Sequence, residues 1–359
     1  MNISMNLISY LLNNNITMSE EQSEASGLPV VIPKFWDEDD EALSQECRDL
    51  IATLPSEPYW KIYRLYQFQG FWHNKRVIQG ALNLQKYFQT HDSDIILVTM
   101  PKSGTTWLKA LTYSILNRKT HYPNPNLNPT HPLLTTNPHD LVPFLELRLY
   151  LENNPDLSSF SSPRLFAAHL PYLPLPESVK SSRCKIVYLC RNPKDVLVSY
   201  WHFTSPFFKT ESQAASNVVD EDLFEKFCQG KNPFGPFWDH ILGYYKESLK
   251  RPEKVMFLMF EDLKGKPVRV LKELAEFIGY GFSKEEENDV VGDILKLCSF
   301  ENLSNLEVNK SGKVSSGVKS KNFFRRGTVG DSKNFLTLDM IKRLDDITEE
   351  KLGIHGLKF

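Results

Sequence analysis

Short apolar stretches recur along the chain, and they have the length of buried strands. Residues 95–100, 164–168 and 185–190 have this character, and residues 254–260 are apolar almost without a break, as in strands buried on both faces of a sheet. Between these stretches, apolar residues recur at helical spacing. Because strands alternate with helices, the pattern predicts an α/β fold, a single domain with a central, mostly parallel sheet flanked by helices.

Periodic apolar positions predict helices in much of the remaining chain. They are expected over residues 38–54, 75–88, 223–249 with a break at 230–236, 268–280, 284–297 and 338–351. Residues 59–72 are instead dense in aromatic side chains, most of which we assign to the core. Phe71 and Trp72 follow Gly70 and are candidates for the wall of a pocket that holds a flat, apolar ligand.

The loop after residues 95–100 has the composition of an anion-binding site. Lys102 supplies a positive charge, and Gly104 lets the backbone approach a ligand closely. Hydroxyl groups come from Ser103, Thr105 and Thr106. The helix that begins at Thr105 adds free backbone N–H groups and the positive end of its dipole. The loop is P-loop-like, but its lysine precedes the glycine by two residues, whereas in a Walker A loop the lysine follows the glycine.

Two further strands end in polar residues at the same edge of the predicted sheet. His169 follows residues 164–168, where ligands bind in open α/β sheets, and its imidazole can take a proton near neutral pH. A packing role for this histidine is an equal alternative. Arg191 directly follows residues 185–190, and Ser199 lies about two turns into the next helix. A surface arginine beside a well-capped helix does not account for this position at the ligand-binding edge.

A third group of positive charges lies nearer the C-terminus. Residues 309–321 are basic and rich in serine and glycine, so we expect a flexible segment. Arg325 and Arg326 come soon after it and are followed by Gly327. Two adjacent arginines after such a segment can clamp a phosphate through forked hydrogen bonds.

The cysteine and histidine patterns argue against a metal site. The five cysteines are scattered and include no C-x-x-C pair, which favours reduced thiols in a cytoplasmic protein. Residues 118–144 form a loop too long for a simple connection, so we expect a lid or a well-packed functional loop. Its histidines lack metal-ligand spacing, and surface or packing roles are expected for His121, His131 and His139.

Composition and charge exclude several classes of protein. The chain has 359 residues, of which 41% are apolar, enough for one large domain. A net charge of −2 provides no basic field for nucleic acid. No apolar run approaches the roughly 20 residues of a membrane span. The first lysine or arginine is Lys34, so residues 1–34 are expected to be a disordered leader and not a signal peptide.

Four motifs, in this order and spacing, resemble those of the cytosolic sulfotransferases that use 3'-phosphoadenylyl sulfate (PAPS). They are PKSGTTWLKAL from Pro101, FAAHLP from Phe166, CRNPKDVLVSYWHF from Cys190 and FFRRGTVGDSKN from Phe323. The likeness runs from about Phe35 to the C-terminus, which places a sulfotransferase domain at residues 35–359. Phrases such as NPHDLVPFLE and GLKF are similar to the plant branch, nearest to its flavonoid and brassinosteroid sulfotransferases.

The resemblance implies transfer of a sulfuryl group from PAPS to a hydroxyl group of a small acceptor, without a metal. Residues that would surround the 5'-phosphosulfate are Lys102, Ser103, Gly104, Thr105, Thr106 and Trp107. Residues that would hold the 3'-phosphate are Arg191, Ser199, Arg325, Arg326 and Gly327. Residues that would line the adenine are Phe260, Ser299, Phe300 and Phe324. His169 would be the catalytic base, and Lys102 would stabilise the charge that grows on the departing phosphate oxygen.

Several positions depart from the family pattern. Phe260 stands where the family commonly has tyrosine, Ala168 replaces a threonine before the histidine, and Ser332 replaces a tryptophan. The segment that resembles the family's C-terminal dimer motif has Lys342 where the motif needs glutamate, so we expect a monomer or a weak homodimer.

The leading hypothesis is a cytoplasmic, PAPS-dependent enzyme that sulfates a flavonoid, a brassinosteroid or a similar small hydroxylated plant metabolite. The same reaction on hydroxyjasmonate or salicylate, a P-loop nucleotide kinase, and a non-catalytic nucleotide-binding relative are the alternatives. Nucleic acid and membrane partners are not expected. Aromatic walls of the acceptor pocket are expected from Trp72, Phe144, Tyr172 and Trp201.

Overall fold

A computed structural model describes residues 33–36, 40–59, 63–208 and 218–359 of the chain. Of the expected N-terminal leader, residues 1–32 lie outside the described residues. The described residues form an α/β domain in which helices flank a parallel sheet. The predicted fold class is therefore confirmed.

The described residues form two sheets. An antiparallel sheet contains, in spatial order, β1 (Ser56–Tyr59), β2 (Tyr63–Phe68) and β3 (Phe71–His73). A parallel sheet contains β4 (Ile95–Thr99), β5 (Leu165–Ala168), β6 (Lys185–Cys190) and β7 (Val255–Met259). The spatial order of the parallel strands is β5-β4-β6-β7. The four parallel strands lie where the apolar stretches of the sequence predict them.

Helices fill most of the connections. The first part of the chain contains α1 (Gln45–Ile51), α2 (Lys75–Tyr87), α3 (Thr105–Asn117), α4 (Pro138–Leu141), α5 (Glu177–Ser181) and α6 (Pro193–Phe208). The second part contains α7 (Glu221–Cys228), α8 (Phe237–Lys250), α9 (Phe260–Gly265), α10 (Pro267–Phe277), α11 (Lys284–Leu297), α12 (Phe300–Asn305), α13 (Glu307–Lys310) and α14 (Leu338–Lys351). Single turns of 3-10 helix occur at Lys34–Trp36, Pro132–Leu134, Ser320–Phe323, Asp331–Asn334 and Gly353–His355, and a π-helical turn at Leu145–Leu149.

Strand β4 lies between β5 and β6 and fixes where the sheet binds ligands. Its Ile95 pairs with Leu165 of β5 on one side and with Lys185 of β6 on the other. The chain thus leaves β4 toward one side and returns on the other, which opens a crevice at the carboxyl ends of these strands. At the opposite ends, the Arg164 guanidinium donates to both carboxylate oxygens of Asp94, at 2.8 and 2.6 Å, and helps to hold this register.

The parallel sheet separates two apolar layers. Ile96 and Val98 of β4 face one layer, whereas Ile95 and Leu97 face the other. These four side chains are at most 1% exposed. Burial on both faces explains why the strand is apolar from Ile95 to Val98 and does not alternate with polar residues.

Strand β7 corrects one expectation. The apolar run at residues 254–260 predicted a strand buried on both faces, but β7 is at the edge of the sheet and only Val255 and Leu258 are fully buried. An edge strand has one unpaired side, and its position cannot be read from its own apolar residues.

Three other segments differ from their predicted forms. The helix expected over residues 38–54 is limited to α1, because residues 40–44 form turns; residues 37–39 lie outside the described residues. The aromatic stretch at residues 59–72 contributes to the antiparallel sheet, which the sequence did not predict; residues 60–62 are likewise outside. The segment at residues 309–321 is not a flexible run. It makes a tight turn in which the Val314 N–H donates to the Val318 carbonyl oxygen at 3.0 Å, and both valines are buried.

The close approach of α2 to the π-helical turn predicts the effect of two matched substitutions. A Cβ atom on Gly80 of α2 would lie 2.1 Å from the Glu146 carbonyl oxygen, whereas one on Gly292 of α11 would meet nothing within 4 Å. Gly80→Ala should therefore destabilise the fold by about 1–3 kcal/mol through overpacking. Gly292→Ala should stabilise it by about 0.5–1 kcal/mol, because alanine favours a helix. Urea unfolding measures both, and equal effects of the two substitutions would contradict this packing.

Candidate active site

A cavity of about 650 Å³ opens at the carboxyl edge of the parallel sheet. The residues that follow the four strands contribute to its wall: Lys102 after β4, His169 after β5, Arg191 after β6 and Phe260 after β7. The structure therefore brings together groups that the sequence separates by more than 150 residues. This is the edge at which ligands were expected to bind.

The loop between β4 and α3 has a backbone that requires glycine at one position. Gly104 has φ +108°, and a Cβ atom there would lie 2.7 Å from the ring of Phe260. Gly104 also begins α3 without a side-chain cap, so the first N–H groups of the helix face the cavity unpaired by any cap. Lys102 also has a positive φ, +72°, which is uncommon for a residue with a side chain. These features suit a loop that wraps an anion closely.

Ser103 and Trp107 each carry a buried polar group that a ligand could bind. The Ser103 hydroxyl is buried and has no hydrogen-bond partner among the described residues, and the same is true of the Trp107 indole N–H. Trp107 lines the cavity, whereas Ser103 does not. Buried donors without partners are destabilising in the free protein, so their presence favours a site that an acceptor-rich ligand completes.

The ammonium group of Lys102 lies among rings and other cations. Its Nζ is 4.0 Å from the centre of the Phe203 ring and 5.9 Å from that of Phe323. Burial, together with the positive charges of Arg325 and Arg191, lowers the pKa of Lys102 to about 7. The cavity thus concentrates positive charge, and Lys102 forms no salt bridge with any residue that the structure describes, which favours an anionic ligand.

His169 is held so that one ring nitrogen remains available. Its Nδ1 lies 2.6 Å from the Thr99 carbonyl oxygen, which can only accept, so Nδ1 carries the proton and Nε2 keeps its lone pair. The backbone is held as well: its N–H donates to the Glu146 carboxylate at 2.6 Å, and its carbonyl oxygen accepts from His240 at 2.8 Å. Burial lowers the pKa of His169 to about 3 in the free protein. The imidazole is therefore neutral, and a bound anion would raise its pKa toward that of a useful base.

Two aspartates position the arginines. Arg191 donates to the Thr328 carbonyl oxygen at 2.8 Å, and its guanidinium lies 4.6 Å from the centre of the Phe260 ring. Asp195 accepts the backbone N–H groups of Gly330 and Ser332, at 2.8 and 3.0 Å, and so anchors their loop on α6.

The second aspartate, Asp331, contacts both adjacent arginines. It accepts from Arg325 and, at 2.6 Å, from Arg326. Burial alone would raise the pKa of Asp331, but these bonds and the Asn334 amide outweigh burial and lower it. Asp331 thus keeps both guanidinium groups at the cavity, while the side chain of Arg326 remains half exposed. The two arginines predicted as a clamp are therefore preorganised.

Aromatic rings flank the arginines. Phe300 and Phe324 line the cavity with ring centres 6.3 Å apart, and Gly327 fits against Phe300, where a Cβ atom would approach to 2.6 Å. Ser199 also lines the cavity. Ser299 does not; its hydroxyl caps α12 by accepting the Asn302 N–H at 3.1 Å. Ser299 is therefore placed to present Phe300, which begins that helix.

The other end of the cavity is mostly apolar, and its walls differ from those expected. Among the four predicted aromatic walls, only Phe144 lines it; Trp72, Tyr172 and Trp201 do not. Trp72 is in the core, Tyr172 packs edge-on against Tyr244, and Trp201 is buried beside Tyr200, which does reach the cavity. Phe71, a candidate for the same wall, is also absent from it. The rings that form this end are Phe35, Trp36, Phe144, Tyr200 and Phe234, whereas the ring of Phe203 lies beside Lys102.

Sequence reasoning missed three histidines of the cavity wall: His202 on α6, and His73 and His139. His139 was assigned a surface or packing role, yet it lines the cavity and bonds to Thr106 of the anion loop at 2.9 Å. His73 lines the apolar end, is 1% exposed, and has no hydrogen-bond partner on either ring nitrogen among the described residues. None of the three directly follows a strand of the parallel sheet, so the signal that identified His169 was missing. His121 and His131 do pack against each other, as expected, with ring centres 6.1 Å apart.

Comparison with known proteins identifies the family. The model of the sulfotransferase domain matches residues 92–356. The chain belongs to the sulfotransferase family. Cytosolic sulfotransferase 12 of Arabidopsis thaliana is 51% identical over 89% of this chain and 96% of its own length. Cytosolic sulfotransferase 15 of the same plant is 49% identical over 91% of this chain and 90% of its own.

Solved structures agree with this assignment. A crystal structure of an Arabidopsis thaliana protein, provisionally named a steroid sulphotransferase, superposes with a TM-score of 0.69, at 43% identity, over 92% of this chain and all of the other. A mouse sulfotransferase complexed with PAP shares the fold at 24% identity and a TM-score of 0.60, over 80% of this chain and 94% of its own. As a family member, this chain is a PAPS-dependent sulfotransferase that acts on a hydroxyl acceptor, as predicted.

Two further observations concern alternatives to this assignment. Within the described ranges, no group of three or more histidine, cysteine, aspartate or glutamate side chains could hold a metal ion. No helix in those ranges is long and apolar enough to cross a membrane. Membership of the sulfotransferase family decides against the P-loop nucleotide kinase.

The lowered pKa of Lys102 predicts how nucleotide binding varies with pH. The free lysine is protonated below about pH 7 and neutral above it, whereas an anion binds the protonated form. The dissociation constant of adenosine 3',5'-bisphosphate should therefore rise by up to about tenfold per pH unit above this value. Lys102→Arg, which stays charged, should remove this rise. Calorimetric titrations of both proteins measure it, and equal slopes would show that Lys102 does not titrate there.

Proposed function

We propose that this sulfotransferase transfers the sulfuryl group of PAPS to a hydroxyl group of a small, largely apolar plant metabolite, such as a flavonoid or a brassinosteroid. The observation that supports this most is that one cavity has an anion loop and arginines in one part of its wall and aromatic rings in another, with His169 in the same wall. A charged nucleotide suits the first part, and a flat hydroxylated ring system suits the second.

The nucleotide is proposed to span the positively charged end of the cavity. The loop from Lys102 to Trp107 would take the 5'-phosphosulfate through backbone N–H groups and hydroxyls. Groups proposed to hold the 3'-phosphate are Arg191, Ser199, Arg325, Arg326 and Gly327. The adenine would pack between Phe260, Phe300 and Phe324, with Ser299 in support. Phe260 keeps the ring of the usual tyrosine but lacks its hydroxyl, so stacking would remain and a hydrogen bond would be lost.

His169 is proposed as the general base. Its Nε2 would take the proton of the acceptor hydroxyl while that oxygen attacks sulfur, in line with the departing phosphate oxygen. Lys102 and the N–H groups at the start of α3 would stabilise the charge that grows on the departing oxygen. Ala168, which replaces the usual threonine, is not needed to orient the imidazole, because the Thr99 carbonyl oxygen already binds the ring and Glu146 holds the backbone of His169.

The localisation, the extent of the domain and the oligomeric state complete the proposal. The names of the two plant relatives cytosolic sulfotransferase 12 and cytosolic sulfotransferase 5 support a cytoplasmic enzyme. Residues 35–359 are proposed to form the sulfotransferase domain. The reversed charge at Lys342 supports a monomer or a weak homodimer. Hydroxyjasmonate and salicylate remain alternative acceptors for the same reaction. A screen of acceptors distinguishes them from flavonoids and steroids.

The role of His169 is tested with labelled PAPS and a panel of phenolic, steroidal and jasmonate acceptors. His169→Ala should lower transfer by at least about 10²-fold, because the base is lost. The affinity for adenosine 3',5'-bisphosphate should stay nearly unchanged. His355→Ala, at an exposed histidine, is the matched control and should keep full activity. Nucleotide binding without transfer to any acceptor by the unaltered protein would instead indicate a non-catalytic relative.

The buried imidazole of His73 indicates that the acceptor carries a second polar group. Burial lowers the pKa of His73 to about 3, so the ring is neutral and offers one donor and one acceptor. Its centre is 5.3 Å from that of Phe234, which is 5.4 Å from that of His169. The two imidazoles are thus no further apart than the sum of these distances. A small acceptor can therefore reach both with two polar groups.

Acceptors that differ by one distal hydroxyl test this role of His73. His73→Phe should lower kcat/KM for the acceptor with the second hydroxyl by about 5- to 30-fold, since one hydrogen bond is lost. It should leave the acceptor without that hydroxyl unchanged or improved. An equal loss for both acceptors would mean that His73 only supports the fold.

A further inference from the structure

A line of three hydrogen-bonding groups runs behind the anion loop. The Lys109 Nζ lies 3.2 Å from His139 Nδ1, and His139 Nε2 lies 2.9 Å from the Thr106 hydroxyl. Lys109 is fully buried in α3, one turn beyond Thr106, and His139 is the second residue of α4. A buried lysine that ends on a histidine, and a histidine that ends on a loop hydroxyl, form a connected path toward the ligand.

The chemistry of the three groups decides which of them donates and which accepts in each hydrogen bond. An ammonium group has donors only, so Lys109 in its charged form obliges His139 Nδ1 to accept. Burial lowers the pKa of His139 well below its usual value, so the ring stays neutral and carries one proton. That proton must be on Nε2, which then donates to the Thr106 oxygen. Thr106 accepts there, and its own O–H is left to donate to another group.

A bound anion favours the charged form of Lys109, against the burial that disfavours this form in the free protein. Burial lowers the pKa of Lys109 well below its usual value, but the Glu146 carboxylate acts in the opposite direction. The ammonium also lies 3.4 Å from the centre of the Phe144 ring, a cation–π contact. A bound nucleotide with several negative charges adds to both effects.

Ring contacts hold the imidazole of His139 in place. The ring of His139 packs against those of Phe323 and Phe144, at centre distances of 4.2 and 5.6 Å. The His139 N–H donates to the Asn137 side chain at 2.9 Å, which fixes the backbone of α4. These contacts hold the plane of the ring, and the bonds to Lys109 and Thr106 select the orientation of its nitrogens within that plane.

We propose that Lys109 and His139 are positioning residues, which orient the Thr106 hydroxyl so that it donates its hydrogen to the phosphosulfate of the bound nucleotide. The inference rests on the proposed function, because it takes the ligand of the loop to be PAPS. Each bond in such a path polarises the next, so the final donor is stronger than an isolated hydroxyl and is already aimed.

A double-mutant cycle tests the link between His139 and Thr106. His139→Phe keeps a stacked ring without its nitrogens, and should lower kcat by about 10- to 100-fold, the value of one charge-assisted hydrogen bond. His139→Gln, whose amide can still donate, should recover part of this loss. In a Thr106→Val background, His139→Phe should cause no further loss. Equal losses in both backgrounds would overturn the proposal, as would full activity of His139→Phe in the original background.

The tautomer of His139 gives a readout that needs no turnover. Nitrogen-15 NMR of the full chain with adenosine 3',5'-bisphosphate should show His139 protonated on Nε2 and unprotonated on Nδ1, with assignment from the His139→Phe spectrum. Lys109→Met should abolish this preference. The opposite tautomer in the unaltered chain would overturn the proposal, because Thr106 would then donate to the ring. Absence of sulfuryl transfer with the expected tautomer would count against the proposed function and not against this path.

Discussion

The register between β4 and β5 is the constraint on which the site depends. It places the end of β4 beside His169, so that the Thr99 carbonyl oxygen accepts from Nδ1 at 2.6 Å. That one bond decides which nitrogen of the imidazole is free. The same strand continues into the loop that holds Lys102 and Gly104, so the base and the anion loop are positioned by one element. A slip of one residue would point His169 to the other face of the sheet.

Electrostatics explains why the free protein tolerates so many cations around one cavity. Asp331 holds Arg325 and Arg326, and Asp195 anchors the loop that carries them. Lys102 forms no salt bridge within the described residues, and burial, together with the charges of Arg325 and Arg191, lowers its pKa. A nucleotide with phosphates at both ends would relieve this repulsion. The site is therefore least favourable when empty, which makes the binding of a multiply charged anion favourable.

The extent to which sequence predicted the site follows from how local each signal is. The anion loop was predictable because its strand, glycine, lysine and helix are contiguous, and Arg191 and His169 were predictable because each follows a strand. His139 was missed because a long loop brings it to Thr106. Most of the aromatic walls were predicted wrongly. Neighbouring residues of a helix lie on different faces, so when Tyr200 of α6 lines the cavity, Trp201 does not. The edge position of β7 depends on strand order, which no single segment encodes.

One nucleotide is proposed to bind the anion loop at its 5' end and the arginines at its 3' end, with the reactive 5' end beside His169. A crystal structure of this protein with adenosine 3',5'-bisphosphate tests it most directly. The account predicts the 5'-phosphate within hydrogen-bonding distance of the Thr105 and Thr106 N–H groups and the 3'-phosphate on Arg191 and Arg326. A nucleotide bound in the reverse direction, or with either phosphate outside this cavity, would contradict it.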